Sequence, residues 1–406
     1  VDGSYSFKNM PVPSITGEVT SSAYTIKAIR DDEPMNGVST IDLVLIQKHI
    51  LGTESLKTPY KMIAADANND KDITAVDLVE LRKLILGVYD KLPNNTSWKF
   101  VPKSYVFADI NNPWSYPTEE KLTEVKGNMT KDFVGIKVGD VNASSIPHSL
   151  MGTEIRESTT GLIFELEDQA FKAGDKVEAQ FRSPNFAGVS GFQGTIQSTM
   201  YDVQHTNFAP YLVPNIVHGT SYVVTSGALN LSDKNIGTRW ANDGMVTMSW
   251  NTNTGIDINA EEVLFTMTFV AQKAGVLSEV IRIGSQRTKA ESYKGRGEMH
   301  PERSRGVALR FTKNGKEVSG TNTLYQNYPN PFDQRTVIGM NLTQSTEGIL
   351  KITDVTGRTI KSISREWNKG YNEVWLDRRE IKATGVLFYT FESRGFTASK
   401  RMVIME

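Results

Sequence analysis

The chain has 406 residues, 39% hydrophobic and 22% charged, with a net charge of −1 and no cysteine. That length predicts roughly two to four domains, and the near-neutral charge gives no basis for nucleic acid or an anionic membrane as partner. No apolar run approaches the ~20 residues of a membrane-spanning helix, and without cysteine there are neither disulfides nor thiolate metal sites.

The sequence opens on Val1, and its first residues are not expected to be a signal peptide. Asp2-Gly3-Ser4-Tyr5-Ser6-Phe7 reads as a turn into a strand that begins mid-domain, and residues 24–29 alternate as a second strand. The pair resembles the closing strands of the carboxypeptidase-regulatory-like or Cna-B-like β-sandwich repeats of large surface proteins. The resemblance implies that 1–30 closes a truncated sandwich and that the chain is the C-terminal piece of something longer. The other reading is an ordinary N-terminal hairpin.

The next two stretches share a pattern. Residues 66–77 carry oxygen side chains at loop positions 1, 3, 5, 9 and 12 and an apolar residue, Ile73, at position 8. A hard cation that takes six to eight oxygens needs this spacing: alternate side chains and one carbonyl converge on a point. Asp66, Asn68, Asp70 and Asp77 supply side chains, Asp72 a carbonyl, and Thr74 a hydroxyl or a bridging water. The stretch 31–42 repeats the pattern at a constant offset of 35, with Asp31, Glu33, Gly37 and Asp42 at positions 1, 3, 7 and 12. Behind each loop, residues at i, i+3 and i+7 (Leu43, Ile46, Ile50; Leu78, Leu81, Ile85) form one apolar helical stripe, and a glycine, Gly52 or Gly87, closes the helix. An Asp/Asn-rich turn capping a helix is the simpler reading of either loop alone.

This duplicated loop-helix unit, 31–91, resembles the type I dockerin, a calcium module that binds cohesin domains. Asp at position 12 in place of the bidentate Glu of an EF-hand fits that family. Two departures stand out: Lys71 occupies position 6, and Met35 occupies position 5 of the first loop, where an oxygen is expected. The second site is therefore the stronger, and the first needs Asn36 or a ligand from elsewhere.

Prolines at 93, 102, 113, 117 and 147 break up residues 92–149, while Trp98, Phe100, Tyr105, Phe107, Trp114 and Tyr116 make the segment aromatic. It is expected to wrap the helical pair. Residues 133–138 read as a strand leading into Gly139-Asp140-Val141-Asn142, the tetrapeptide that opens many dockerin loops. Asp140 either reaches back to the first site or sits in a turn before a linker.

Residues 150–315 carry short strands around 162–166, 177–181, 220–225, 246–250 and 263–270, separated by turn residues. Phe265, Met267 and Phe269 alternate, so one face is buried. A β-sandwich follows. Its opening, Phe171-Lys-Ala-Gly174-Asp175 and then Val189-Ser-Gly191-Phe192-Gln193, resembles a cohesin-type domain; carbohydrate-binding modules share much of the pattern.

Residues 322–406 hold Asn330-Pro331-Phe332, a hairpin around Asp354-Val355-Thr356-Gly357, Gly385-Val-Leu-Phe388-Tyr389 and Lys400-Arg401-Met402. They resemble the type A C-terminal sorting domain of the Bacteroidetes type IX secretion system. The resemblance implies recognition by that translocon, export, and attachment to the cell surface or release. The final strand, if unpaired, is an edge another protein can use.

The fold class expected is multidomain and mainly β, sandwiches plus a small EF-hand-like helical calcium module. No H-E-x-x-H, G-x-S-x-G, P-loop or dinucleotide fingerprint occurs, and His49, His148, His205, His218 and His300 lack metal spacing. The expected role is non-catalytic surface display, adhesion or extracellular assembly, with the dockerin-like and cohesin-like parts joining head to tail or docking within one chain. The alternatives are the accessory region of a secreted hydrolase, or a carbohydrate-binding module with Trp240 and Trp250 as its platform.

Overall fold

The computed structural model describes residues 4–8, 24–122, 128–146, 160–198, 218–219, 222–271, 273–294, 304–318 and 322–405. Of the expected opening strands, residues 1–3 and 9–23 lie outside it, as do His148, His205 and His300. The protein is multidomain and mainly β, and it divides into two compact units.

The first unit is built mainly from Val1–Ile85 and Tyr89–Leu150. Helix α1, Thr40–Ile50, starts at Ser39, whose backbone N–H is received by the Asp42 carboxylate at 2.9 Å. Helix α2, Pro59–Ala65, lies between the two repeats. Thr58 caps it by accepting the Lys61 N–H, and Pro59 stands at its first position, where a missing N–H costs nothing. Helix α3 spans Ala75–Ile85. Leu43 and Ile46 of α1 and Leu81 and Ile85 of α3 are buried in one core with Leu56, Ile63 and Leu84. Ile50, at the end of the first stripe, stays exposed.

Residues beyond the helices close over this core. Trp98–Pro102 pairs antiparallel with Phe133–Lys137, placing Val101 and Ile136 among the helical side chains. Tyr60 and Tyr105 meet Phe107 edge-to-face on its surface, and Tyr116 lies tilted against the same ring. Tyr24–Ile26 pairs with Glu120–Leu122. The strand expected to close an upstream sandwich therefore belongs to this unit.

The second unit holds two β cores. In the first, a four-stranded sheet (Lys176–Phe181, Phe265–Val270, Tyr222–Ser226, His218–Gly219) faces a larger one centred on Val189–Ser198 and Met245–Ile256. Thr160–Glu167 runs parallel to Ser304–Lys313 at the far side of the larger sheet. Phe265, Met267 and Phe269 point inward, and Phe265 stacks on Phe181 with ring centroids 4.3 Å apart.

The second core, in residues 322–405, lies between a sheet of Thr323–Leu324, Arg335–Leu342 and Gly370–Asp377 and one of Thr359–Trp367, Thr346–Asp354, Gly385–Ser393 and Phe396–Ile404. Trp367, Tyr389 and Phe391 fill it. The expected hairpin forms between Thr346–Asp354 and Thr359–Trp367, with Gly357 at φ +85°. The final strand is partly covered: Phe332 donates to the Val403 carbonyl at 3.0 Å and accepts from Met405 at 2.8 Å.

Candidate metal centre

The loop 66–77 folds around two buried carboxylates. Asp66 is 1% exposed and Asp77 0%. Asp66 Oδ1 accepts the Asp70 N–H at 3.0 Å and its Oδ2 the Lys71 N–H at 3.2 Å. Asn68 Oδ1 also accepts from Asp70 N–H, at 3.0 Å. Asp77, from the first turn of α3, reaches back across the loop. Its Oδ1 accepts from Ala67 and Asn68 at 2.8 and 3.2 Å, and its Oδ2 from Thr74 N–H at 2.8 Å. Asn69 and Lys71 take left-handed φ of +64° and +70°, which curls the chain so that alternate side chains face inward. Lys71 thus adopts the conformation for which glycine is the usual choice. Burial raises the pKa of both Asp66 and Asp77, with each backbone N–H pulling it back down.

Around Asp42 the structure brings together residues from both ends of the unit. Asp42 Oδ1 accepts from the backbone N–H of Val141 and Asn142, at 2.9 and 3.2 Å, and its Oδ2 from Ser39 N–H and Oγ, at 2.9 and 3.2 Å. Asp140 Oδ1 and Oδ2 accept from the N–H groups of Ser144 and Ser145. Asp42 is fully buried, and its pKa is pushed well up, first by burial and then by the Asp140 carboxylate. Lys137 lies nearby, its Nζ donating to the carbonyls of Pro34 and Val138. Burial lowers its pKa to about 8, while Asp140 and Asp42 draw it upward.

Asp31 and Glu33 are engaged elsewhere. Asp31 accepts the Ser97 N–H at 2.7 Å and faces Lys91 at 3.8 Å. Glu33 pairs with Arg30 at 2.9 Å and accepts from the Asn36 amide. The carboxylate that approaches Asp42 comes from Asp140. This is the approach expected of Asp140 in Gly139-Asp140-Val141-Asn142; Ser144 is the addition, and its signal in the sequence is the Asp-x-Asn-x-Ser spacing after Gly139.

The donors at both places are carboxylate, amide, hydroxyl and carbonyl oxygens, the set a hard cation prefers over a soft one. Among the described residues, no three acidic or histidine side chains converge as a cage of their own. An ion here therefore draws on the neutral oxygens as well as on the carboxylates. A second fit is steric: a Cβ added to Gly37 would lie 2.7 Å from the N, Cα and Cβ of Ser145. Only glycine lets these two segments meet.

The tryptophans do not form a sugar platform together. Trp250 is buried, and its indole N–H donates to the Leu229 carbonyl at 3.0 Å. Trp240 is half-buried, with the Arg287 guanidinium 4.4 Å above its ring.

Comparison with known proteins agrees with the domain content. Residues 36–86 match the family model of the dockerin type I domain, a domain type that binds calcium. Residues 326–405 match that of the secretion system C-terminal sorting domain, the type IX kind, which directs a protein to the cell surface or extracellular space. Among solved structures, the chain is similar to the type II cohesin dyad from the adaptor ScaA scaffoldin of Acetivibrio cellulolyticus, with 11% identity and a TM-score of 0.24, over 60% of this chain and 93% of that one. It is similar to the second type II cohesin module of the same scaffoldin, with 13% identity and a TM-score of 0.23, over 41% of this chain and 98% of that one. It is also similar to dimeric latent PorU from Porphyromonas gingivalis, with 11% identity and a TM-score of 0.19, over 76% of this chain and 28% of that one. No curated protein matches the chain. The domains so identified are of non-catalytic kinds, and among the described residues no helix is long and apolar enough to cross a membrane.

Proposed function

We propose that this chain is a calcium-stabilised, non-catalytic region of a secreted surface protein, exported by the type IX system through residues 322–406 and serving display and extracellular assembly. The observation that carries the reading is the loop 66–77, where two buried carboxylates from opposite ends face one another with α3 behind them. Asp66, Asn68, Asp70 and Asp77 hold the ion through side chains, with the Asp72 carbonyl and the Thr74 hydroxyl or a water completing the shell. Gly37 and Asp42 belong to a second site, from which Asp31 and Glu33 are left out by their other bonds. Calcium neutralises the buried carboxylates and ties each loop to the helix behind it.

The assembly half rests on α3, which exposes Val76 (52%) and Val79 (40%) one turn apart. Exposed apolar side chains at that spacing suit a helix-docking partner, here a cohesin-type sandwich on another copy. Mass photometry of the full chain tests it. The reading expects species larger than the monomer in calcium, lost in EDTA and lost in Val76→Asp/Val79→Asp. Monomers in both conditions would remove assembly between copies.

A further inference from the structure

We infer that the chain builds a second calcium loop from two segments far apart in sequence: residues 140–145 form its first six positions and residues 37–42 its last six. The inference rests on the calcium reading of the loop 66–77, because that loop is the template.

Seven side-chain hydrogen bonds recur at matching positions in the two places. Where Asp66 receives the N–H groups of Asp70 and Lys71, Asp140 receives those of Ser144 and Ser145. Where Asn68 Oδ1 receives Asp70 N–H, Asn142 Oδ1 receives Ser144 N–H, both at 3.0 Å. Where Asp77 Oδ1 receives Ala67 and Asn68, Asp42 Oδ1 receives Val141 and Asn142, at the same 3.2 Å for the second of each pair. Where Asp77 Oδ2 receives the N–H and hydroxyl of Thr74, Asp42 Oδ2 receives those of Ser39. Position 4 is left-handed in both, Asn69 at +64° and Ala143 at +60°.

The seam between the segments is closed by direct contact. The Ser144 hydroxyl donates to the Gly37 carbonyl at 3.0 Å, so the oxygens of positions 5 and 7 already touch. Gly37 meets the Ser145 backbone where position 6 meets position 7 in the continuous loop. The Asn36 amide stitches the segments further, donating to the Ile146 carbonyl at 2.9 Å and accepting its N–H at 3.1 Å. The resulting order, 140–145 then 37–42, has twelve positions. Oxygens stand at 1 (Asp140), 3 (Asn142), 5 (Ser144), 7 (the Gly37 carbonyl), 9 (Ser39) and 12 (Asp42), and apolar Val38 stands at 8, as Ile73 does in the template. Met35 no longer has to serve as a ligand.

The segment that opens this loop thus follows the rest of the module in the chain. An ion in it clamps the 139–146 segment to the start of α1 and closes the unit into a ring. Two carboxylates here, against three in 66–77, make it the weaker site.

Isothermal titration of the metal-free full chain with calcium, alongside hydrogen exchange, tests the inference. The wild type is expected to take two ions and Asp140→Ala one, while Asp31→Ala/Glu33→Ala still takes two. Ser144→Ala, an exposed change that keeps the Asp140 bonds, is expected to weaken only the weaker event. Calcium should slow exchange of the Ser144 and Ser145 amides in the wild type and not in Asp140→Ala. One ion in the wild type, lost on Asp66→Ala, would overturn the split loop and leave the first reading standing. Two ions undisturbed by Asp140→Ala would overturn it as well. No ion at all would remove both.

Discussion

Substituting Asp77 separates an ion ligand from a helix cap. Its carboxylate is fully buried and receives three backbone N–H groups, from Ala67, Asn68 and Thr74. Removing it in Asp77→Ala strands those donors, each worth ~1–3 kcal/mol when buried without a partner. Relief of a buried charge and entry of water offset part of this, so we expect a loss of about 2–3 kcal/mol in chelator. Asp77→Asn keeps one acceptor oxygen and should lose about 1 kcal/mol. In calcium at about 100 times its dissociation constant, the wild type gains ~2.7 kcal/mol that neither variant can claim. For a unit of this size that adds roughly 10 °C to the difference in melting temperature. The assay is thermal unfolding of the full chain in calcium and in EDTA, followed by near-UV circular dichroism. An equal wild-type-to-variant gap in both buffers would show that Asp77 only caps α3.

Further tests concern the other cores and pH. Trp250→Ala should destabilise the sandwich by about 3–5 kcal/mol in denaturant titration and change no glycan binding, since the ring is buried. In chelator, the raised pKa of Asp42, Asp66 and Asp77 means that the folded state holds protons the unfolded state has released. Stability therefore falls as pH rises through that interval. The metal-free unit should melt higher as pH is lowered towards the ordinary aspartate value, while calcium raises the melting temperature less, because protons compete for the same oxygens. The opposite sign applies to Asp354, whose pKa is lowered from 3.8 to about 2 by the Thr356 hydroxyl and N–H and by Arg358. Its contribution is full above the ordinary value and lost as pH falls through about 2, and Asp354→Asn should flatten that part of the acid-unfolding curve.

Much of this was legible in the sequence because the signals are local. The loop 66–77 and the helix behind it follow from spacing alone, and so does the Phe265, Met267, Phe269 alternation. The hairpin at Gly357 follows from turn chemistry. The first loop was legible only in part: the tetrapeptide at Asp140 marks a loop opening, but not where the rest of that loop lies. Its two halves are joined only by tertiary contact, from Asp42 to Val141 across 99 residues, and no window along the chain contains both. Asp31 and Glu33 matched the spacing, yet Ser97, Lys91 and Arg30 hold them instead. Helix α2 escaped because it is short and its signals, a Thr58 cap and Pro59, read equally well as a turn. The pairing of Tyr24–Ile26 is hidden in the sequence because its partner, Glu120–Leu122, is distant and carries little strand character of its own.

Uptake of calcium by the paired loops is measured most directly by the heat of titrating calcium into the stripped full chain. We expect a saturable signal within the range of roughly 10⁻⁷ to 10⁻³ M open to such loops, together with a rise in melting temperature that EDTA reverses. Featureless dilution heats throughout that range, with unfolding indifferent to chelator, would contradict it.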